Sequence, residues 1–166
     1  MKLHGYYRSS TSYRVRIALG LKKLAFDYVA VNLLNGEQKG EAFGAINPHQ
    51  TVPALEVDGE VIVQSLAIID WLDQTYPKPS FLPEGKRAAH ICKSLYYAIA
   101  TEIHAPLNPP VLKHLKDEFG ADSAAINAWY QNGSCGHLRP LKKGWQNLIG
   151  FLRFFPLATQ ACLKLF

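Results

Sequence analysis

Apolar positions in the first half of the chain fall into short clusters separated by polar turns. Lys2 to Tyr6 reads as a strand. After the small polar cluster Arg8-Ser9-Ser10-Thr11-Ser12, the segment Arg14 to Leu24 carries Val15, Ile17, Ala18, Leu19, Leu21 and Leu24 at helical spacing. A strand, a turn and an N-capped helix are therefore expected. Phe26 to Val31 is a second β-rich run, which makes the opening a β-α-β unit of about the minimal length for a parallel crossover. The polar, glycine-containing stretch Asn35 to Asn47 predicts a loop with one irregular helical turn around Glu41 to Ala45. Ala54 to Val57 and Val61 to Val63 flank Asp58-Gly59-Glu60, and Asp-Gly between apolar runs is a strong hairpin signal. Ser65 is then expected to cap a helix from Leu66 to Tyr76 whose inner face holds Ile68, Ile69, Leu72 and Tyr76.

The pattern changes at Pro77 to Gly85, where three prolines and one glycine in nine residues read as a linker. Lys86 to His104 predicts a long helix with a stripe of Ile91, Leu95, Ile99 and Ile103. Ser123 to Gln131 predicts another, capped by Ser123 and stopped near Gly133. From Ser134 onward, Gly136, Pro140, Gly144, Gly150 and Pro156 interrupt an apolar, basic stretch without acidic residues. The expected fold is an α/β N-terminal domain over residues 1–83, in the order β-α-β then β-β-α, followed by an all-α C-terminal domain over 84–166 that turns atypical after about 131.

Composition narrows the functional classes. With 166 residues, 48% of them hydrophobic, the chain holds at most two compact units. A net charge of +5 spread through the sequence argues against a nucleic-acid-binding tail and suits an anionic small molecule. Cys92, Cys135 and Cys162 are widely spaced, with no C-x-x-C pair, so neither a disulfide framework nor a metal site is expected. No apolar run reaches the roughly 20 residues of a bilayer span and no signal peptide is evident, so a cytoplasmic location without membrane attachment is the expectation.

Three separated segments carry the candidate chemistry. Ser9-Ser10-Thr11-Ser12 opens a helix directly after a strand, where unsatisfied amides and the positive end of the helix dipole favour an anion and a hydroxyl can add a hydrogen bond. The cluster suits a thiolate; an ordinary helix cap uses the same residues. In Thr51-Val52-Pro53-Ala54-Leu55, Pro53 directly precedes a strand. A cis bond there would leave the N–H and C=O of Val52 for a ligand, whereas a trans proline would merely start the strand. Gln64-Ser65 stands at the next helix N-terminus, as a carboxylate site or simply as a cap.

Taken together, the order strand, Ser-Ser-x-Ser-x-Arg-Val-Arg-Ile-Ala-Leu helix, Val-Pro before a strand, and Gln-Ser-Leu-Ala-Ile before a helix resembles the thioredoxin-like domain of zeta-class glutathione transferases, including maleylacetoacetate and maleylpyruvate isomerases. The resemblance covers residues 1 to about 83, with Asn32 to Gln38 and Phe81-Leu82-Pro83 also similar to the family. It implies glutathione as cofactor, with Ser9 and Ser10 near the sulfur and Ser9 the preferred thiolate stabiliser. Thr11 stands where many members have cysteine. Gln38 and the Val52 backbone would bind the tripeptide, and Gln64 with Ser65 its γ-glutamyl carboxylate. A small diacid is the implied substrate, with Arg8, next to the serines, expected to orient its carboxylates. Arg14 and Arg16 are expected to face solvent or an interface.

The same resemblance brings in His104 and Asn108 as candidate glutathione contacts, although the family's substrate-holding arginine corresponds here to Pro110. A homodimer is implied. Family members run longer by roughly a third, a large piece of a compact domain, so the second domain is expected to be shortened or altered. Cys92 is expected in the core, and Trp71 and Tyr76 in packing roles.

Overall fold

The computed structural model describes residues 1–132. The glycine- and proline-rich stretch from Ser134 onward lies outside the described residues. Two compact units divide at Phe81 and Leu82.

In the first unit, strands β1 (Lys2–Gly5), β2 (Asp27–Ala30), β3 (Ala54–Val57) and β4 (Glu60–Val63) form one sheet in the order β2-β1-β3-β4. β1 pairs parallel with β2, Leu3 opposite Tyr28, and antiparallel with β3, Leu3 opposite Leu55. The β3-β4 hairpin turns at Asp58 and Gly59, both at positive φ (50° and 85°), the conformation that the Asp-Gly pair predicted. Helices α1 (Ser10–Leu21), α2 (Glu41–Ile46) and α3 (Ser65–Thr75) complete the unit. α1 packs beside α3, and Val15, Ala18, Leu19, Ile68, Ile69 and Leu72 are buried together with Leu3 and Leu55 of the sheet. A second cluster joins Tyr6, Val31, Phe43, Val52 and Ala54. Ala54 and Leu55 are neighbours in one strand, so their side chains leave it on opposite sides, and β3 serves both clusters.

The element order matches the expected β-α-β then β-β-α pattern, with differences at the ends that matter for the site. Helix α1 starts at Ser10, ahead of the apolar run from Arg14, so the hydroxyl cluster opens the helix as expected. It stops at Leu21, because Lys23 adopts a left-handed conformation (φ 55°) that ends the ladder before Leu24. α3 begins at Ser65, with Gln64 rather than Ser65 in the cap position.

The second unit opens with α4 (Lys86–Ala98), continues through a π-helical segment, Ile99–His104, and a 3-10 turn, Ala105–Leu107, and then forms α5 (Pro109–Phe119). The long helix predicted for Lys86 to His104 thus changes pitch at Ile99. Its buried face is Ala88, Cys92 and Tyr96, one position away from the expected Ile91-Leu95 stripe, with Cys92 in the core as expected. Helix α5 is absent from the sequence reading, since Pro109-Pro110 reads as a breaker; both prolines occupy the first turn, where a missing N–H costs nothing. Gly120 ends α5 at φ 61°, with the Ala121 N–H returning to the Leu115 carbonyl. Residues 123–132 are helical, and Asp122 rather than Ser123 caps them, its Oδ1 accepting from the Ala125 N–H at 2.8 Å.

Candidate active site

The end of β1 delivers the chain to the site. The Ser9 N–H bonds the Tyr6 carbonyl at 3.0 Å, closing the turn, and the buried Ser12 hydroxyl accepts from the Tyr6 N–H at 3.3 Å. Ser12 approaches Gly5 so closely that a β-carbon on Gly5 would lie 3.1 Å from its oxygen, which fixes a glycine at the strand exit. Ser9 is the cap of α1, accepting from the Ser12 N–H at 3.2 Å.

A chain of hydroxyls runs from this cap to the second segment. Ser9 Oγ and Thr11 Oγ1 lie 2.8 Å apart, and Thr11 donates to the Val52 carbonyl at 3.0 Å. A threonine hydroxyl has one hydrogen. With that hydrogen on Val52, the Ser9 hydroxyl is the donor to Thr11, so Ser9 must rotate away from Thr11 before it can donate to a sulfur. Ser10, in the first turn, is exposed.

The Val52-Pro53 bond is cis. Val52 was expected to offer both backbone groups to a ligand, but its carbonyl already accepts from Thr11, while its N–H has no partner among the described residues. The loop before it is held by Asn47, a fully buried side chain that the sequence did not mark. Its amide donates to the Thr51 carbonyl at 2.6 Å and its oxygen accepts from the His49 N–H at 3.0 Å. An asparagine followed by proline reads only as a turn, so nothing in the pattern betrayed this role.

At the third segment, no side chain caps α3, whose cap residue Gln64 sits at φ 68° and ψ 116°. Strain of this kind is worth about 1–3 kcal/mol. Gln64→Gly is accordingly expected to raise stability by about 1 kcal/mol in urea denaturation, while weakening any ligand held by the side chain or by the local backbone direction. Ser65 is 6% exposed and accepts at Oγ from Nη1 of Arg14 at 3.1 Å. Ser65 therefore does not cap the helix, and Arg14, 5% exposed, does not face solvent. Burial pulls the Arg14 guanidinium down to about 10. Arg16 is half-buried, donating to the Tyr7 carbonyl at 3.0 Å and lying over the Tyr13 and Tyr28 rings.

Gln38 lies in a 3-10 turn, Glu37–Lys39, and its Oε1 is buried without a hydrogen-bond partner among the described residues. An unpaired buried acceptor is costly and suits a ligand donor. Arg8 is exposed beside the hydroxyl cluster. His104 closes the π-helical segment of the second unit, and Asn108 is the residue before α5 there. Tyr6, Tyr7 and the Trp71-Tyr76 ring pair are packing features, the latter edge-to-face with centroids 6.1 Å apart. Among the described residues there is no cluster of three potential metal ligands and no helix long and apolar enough to cross a membrane.

Residues 3–80 match the family model of the glutathione S-transferase N-terminal domain. A probable maleylacetoacetate isomerase of Vibrio cholerae is 40% identical over 154 residues, covering 91% of this chain and 68% of the relative. The chain belongs to the zeta-class glutathione S-transferase family. A maleylpyruvate isomerase of Ralstonia is 45% identical over 129 residues, covering 78% of this chain. The transferase fold extends beyond the first unit. The structure of a maleylacetoacetate isomerase from Methylobacterium extorquens, solved with malonate and glutathione, superposes with a TM-score of 0.82 at 36% identity, covering 86% of this chain and 67% of that one. The aligned part of this chain spans 61% of the Ralstonia relative's length.

Proposed function

We propose that the chain binds glutathione in its first unit and uses it for the cis-trans isomerisation of maleylacetoacetate or maleylpyruvate to the fumaryl product, a step of aromatic amino-acid breakdown. The observation that carries this reading is the Ser9-Thr11-Val52 hydroxyl chain, which joins the N-terminus of α1 to a backbone segment whose N–H is unspent. The residues fit the tripeptide: a Val52 N–H and a Gln38 oxygen that have no partner among the described residues, for its backbone and for a donor, and the N-terminus of α3, without a side-chain cap, with Ser65 for its α-carboxylate. His104 and Asn108 are further proposed contacts from the second unit.

When bound, glutathione would supply a thiolate that adds to the cis double bond of a conjugated diacid, permits rotation about the resulting single bond, and departs from the trans isomer as the regenerated thiolate. Ser9 would donate to the sulfur, with the α1 N-terminus favouring its negative charge. Ser10 lies in the same turn, where its hydroxyl would share that role. Arg8 would draw the diacid carboxylate toward the sulfur. Bound malonate in the Methylobacterium relative supports a diacid substrate. A homodimer in the cytoplasm completes the proposal.

The test is loss of maleylacetoacetate or maleylpyruvate absorbance with and without glutathione. A rate that requires glutathione and leaves its concentration unchanged is expected. Absence of such a rate rejects the isomerase; a glutathione conjugate detected by mass spectrometry would instead make the protein a transferase for small electrophiles.

A further inference from the structure

The proposed carboxylate site at the start of α3 contains an element that no assigned role covers. Arg14 lies in the middle of α1, 51 residues from Ser65 in sequence, yet its Nη1 donates to the Ser65 hydroxyl at 3.1 Å and both side chains are more than nine-tenths buried. A guanidinium has only donors. The contact therefore fixes the Ser65 oxygen as an acceptor and directs its hydrogen elsewhere, and among the described residues that hydrogen has no acceptor. An unspent hydroxyl hydrogen in a buried serine is uncommon, because buried polar groups are almost always paired.

The surroundings say what it is directed at. Ser65 is the first residue of α3, whose cap residue Gln64 makes no side-chain cap, so its leading N–H groups are also available. A positive charge behind the serine polarises its O–H, and donation into a hydroxyl strengthens the bond that hydroxyl makes onward. The unspent donors and the charge behind them all favour an anion, and a carboxylate with two oxygens can take both the Ser65 hydroxyl and a helix N–H.

We propose that Arg14 is a positioning residue for carboxylate recognition: it orients and polarises the Ser65 hydroxyl toward the α-carboxylate of the γ-glutamyl group without touching the ligand. This rests on the glutathione reading above. It also explains why an arginine is buried in the middle of a helix of twelve residues, next to the apolar inward positions Val15, Ala18 and Leu19.

The test is calorimetric titration of the full chain with glutathione and with its analogue lacking that carboxylate, 4-aminobutyryl-cysteinyl-glycine. The unaltered chain is expected to prefer glutathione by at least about tenfold, the scale of one charge-assisted hydrogen bond. Arg14→Met is expected to remove most of that preference, weakening glutathione about tenfold and the analogue less than about twofold. Arg14→Lys, which keeps the charge and a donor, should retain part of it. Equal weakening of both ligands by Arg14→Met would show a purely structural role and overturn the proposal, as would no change in either. If Arg14→Met does not fold by circular dichroism, Arg14→Gln and Arg14→Lys carry the same comparison, and an unchanged preference in both overturns it. If the unaltered chain binds the two ligands equally, the carboxylate is not read here at all and the proposal falls while glutathione binding stands. If it binds neither, the glutathione reading fails and takes the proposal with it.

Discussion

Ser9→Ala is expected to lower glutathione-dependent turnover by about 10²–10³-fold, the range for removing one hydrogen-bond donor from a developing or resting anion in an active site. It should also raise the pKa of the bound thiol, followed by the ultraviolet absorbance of the thiolate across a pH titration. Ser9 is at once the cap of α1 and the head of the hydroxyl chain through Thr11 to Val52, so the alanine variant also loses about 1 kcal/mol of stability. Ser9→Asp separates the two roles. Ionised aspartate caps a helix as well as serine but has no hydrogen to donate, so that variant should keep its stability and still lose activity. Full activity in Ser9→Asp would assign the thiolate to another residue, with Ser10 the next in the turn. Thr11 enters the same balance. Its hydrogen rests on the Val52 carbonyl, which leaves it accepting the Ser9 hydrogen, and a ligand sulfur must compete for that hydrogen.

The largest loss of stability is expected from Lys22→Met, about 3–5 kcal/mol, the cost of leaving one member of a buried ion pair without its partner. The Lys22 ammonium is fully buried. It donates to Asp73 Oδ1 at 2.6 Å and to the carbonyls of Tyr76 and Pro79 at 2.5 and 2.6 Å, and lies 4.2 Å from the centre of the Phe81 ring. Three donors meet three acceptors, so every ammonium hydrogen is used. Asp73 also accepts from the Phe81 N–H at 2.8 Å. The lysine at the end of α1 thereby ties the end of α3 and the proline-rich segment that follows into the first unit. Urea denaturation measures the loss. Lys22→Met combined with Asp73→Leu should recover part of it, because removing both charges avoids the uncompensated carboxylate. A Lys22→Met variant within about 1 kcal/mol of the parent would refute the account.

Much of the first unit was legible in the residues. Apolar runs of β length, the Asp58-Gly59 turn and the apolar stripe of α3 act through neighbours in sequence, so their signals survive without knowledge of the fold. The hydroxyl cluster, Val52-Pro53 and Gln64-Ser65 were visible as candidates for the same reason. Pitch was harder to see: the helix turns π-helical at Ile99, a change that an even helical period cannot register, and the face buried in α4 is that of Cys92 and Tyr96 rather than the Ile91-Leu95 stripe. Helix α5 was hidden because Pro109-Pro110 signals a break in the interior of a helix and a start at its first turn.

What the sequence determined by itself is the order of elements, the family likeness and the identity of the groups that could meet a thiol and a carboxylate. What only the tertiary structure decided is how those groups are spent. Arg14, Lys22 and Asn47 look like surface or turn residues in the chain, because a charged or amide side chain is usually solvated. Folding brings each to a partner, Ser65 and Asp73 far along the chain and Thr51 across a tight loop, inside a region where an unpaired polar group would be costly. The direction of the Ser9 hydrogen is likewise fixed by Thr11 and by a carbonyl 41 residues beyond it. Local periodicity records which face of an element is apolar; hydrogen-bond partners across the fold depend on distances that only the packed chain defines.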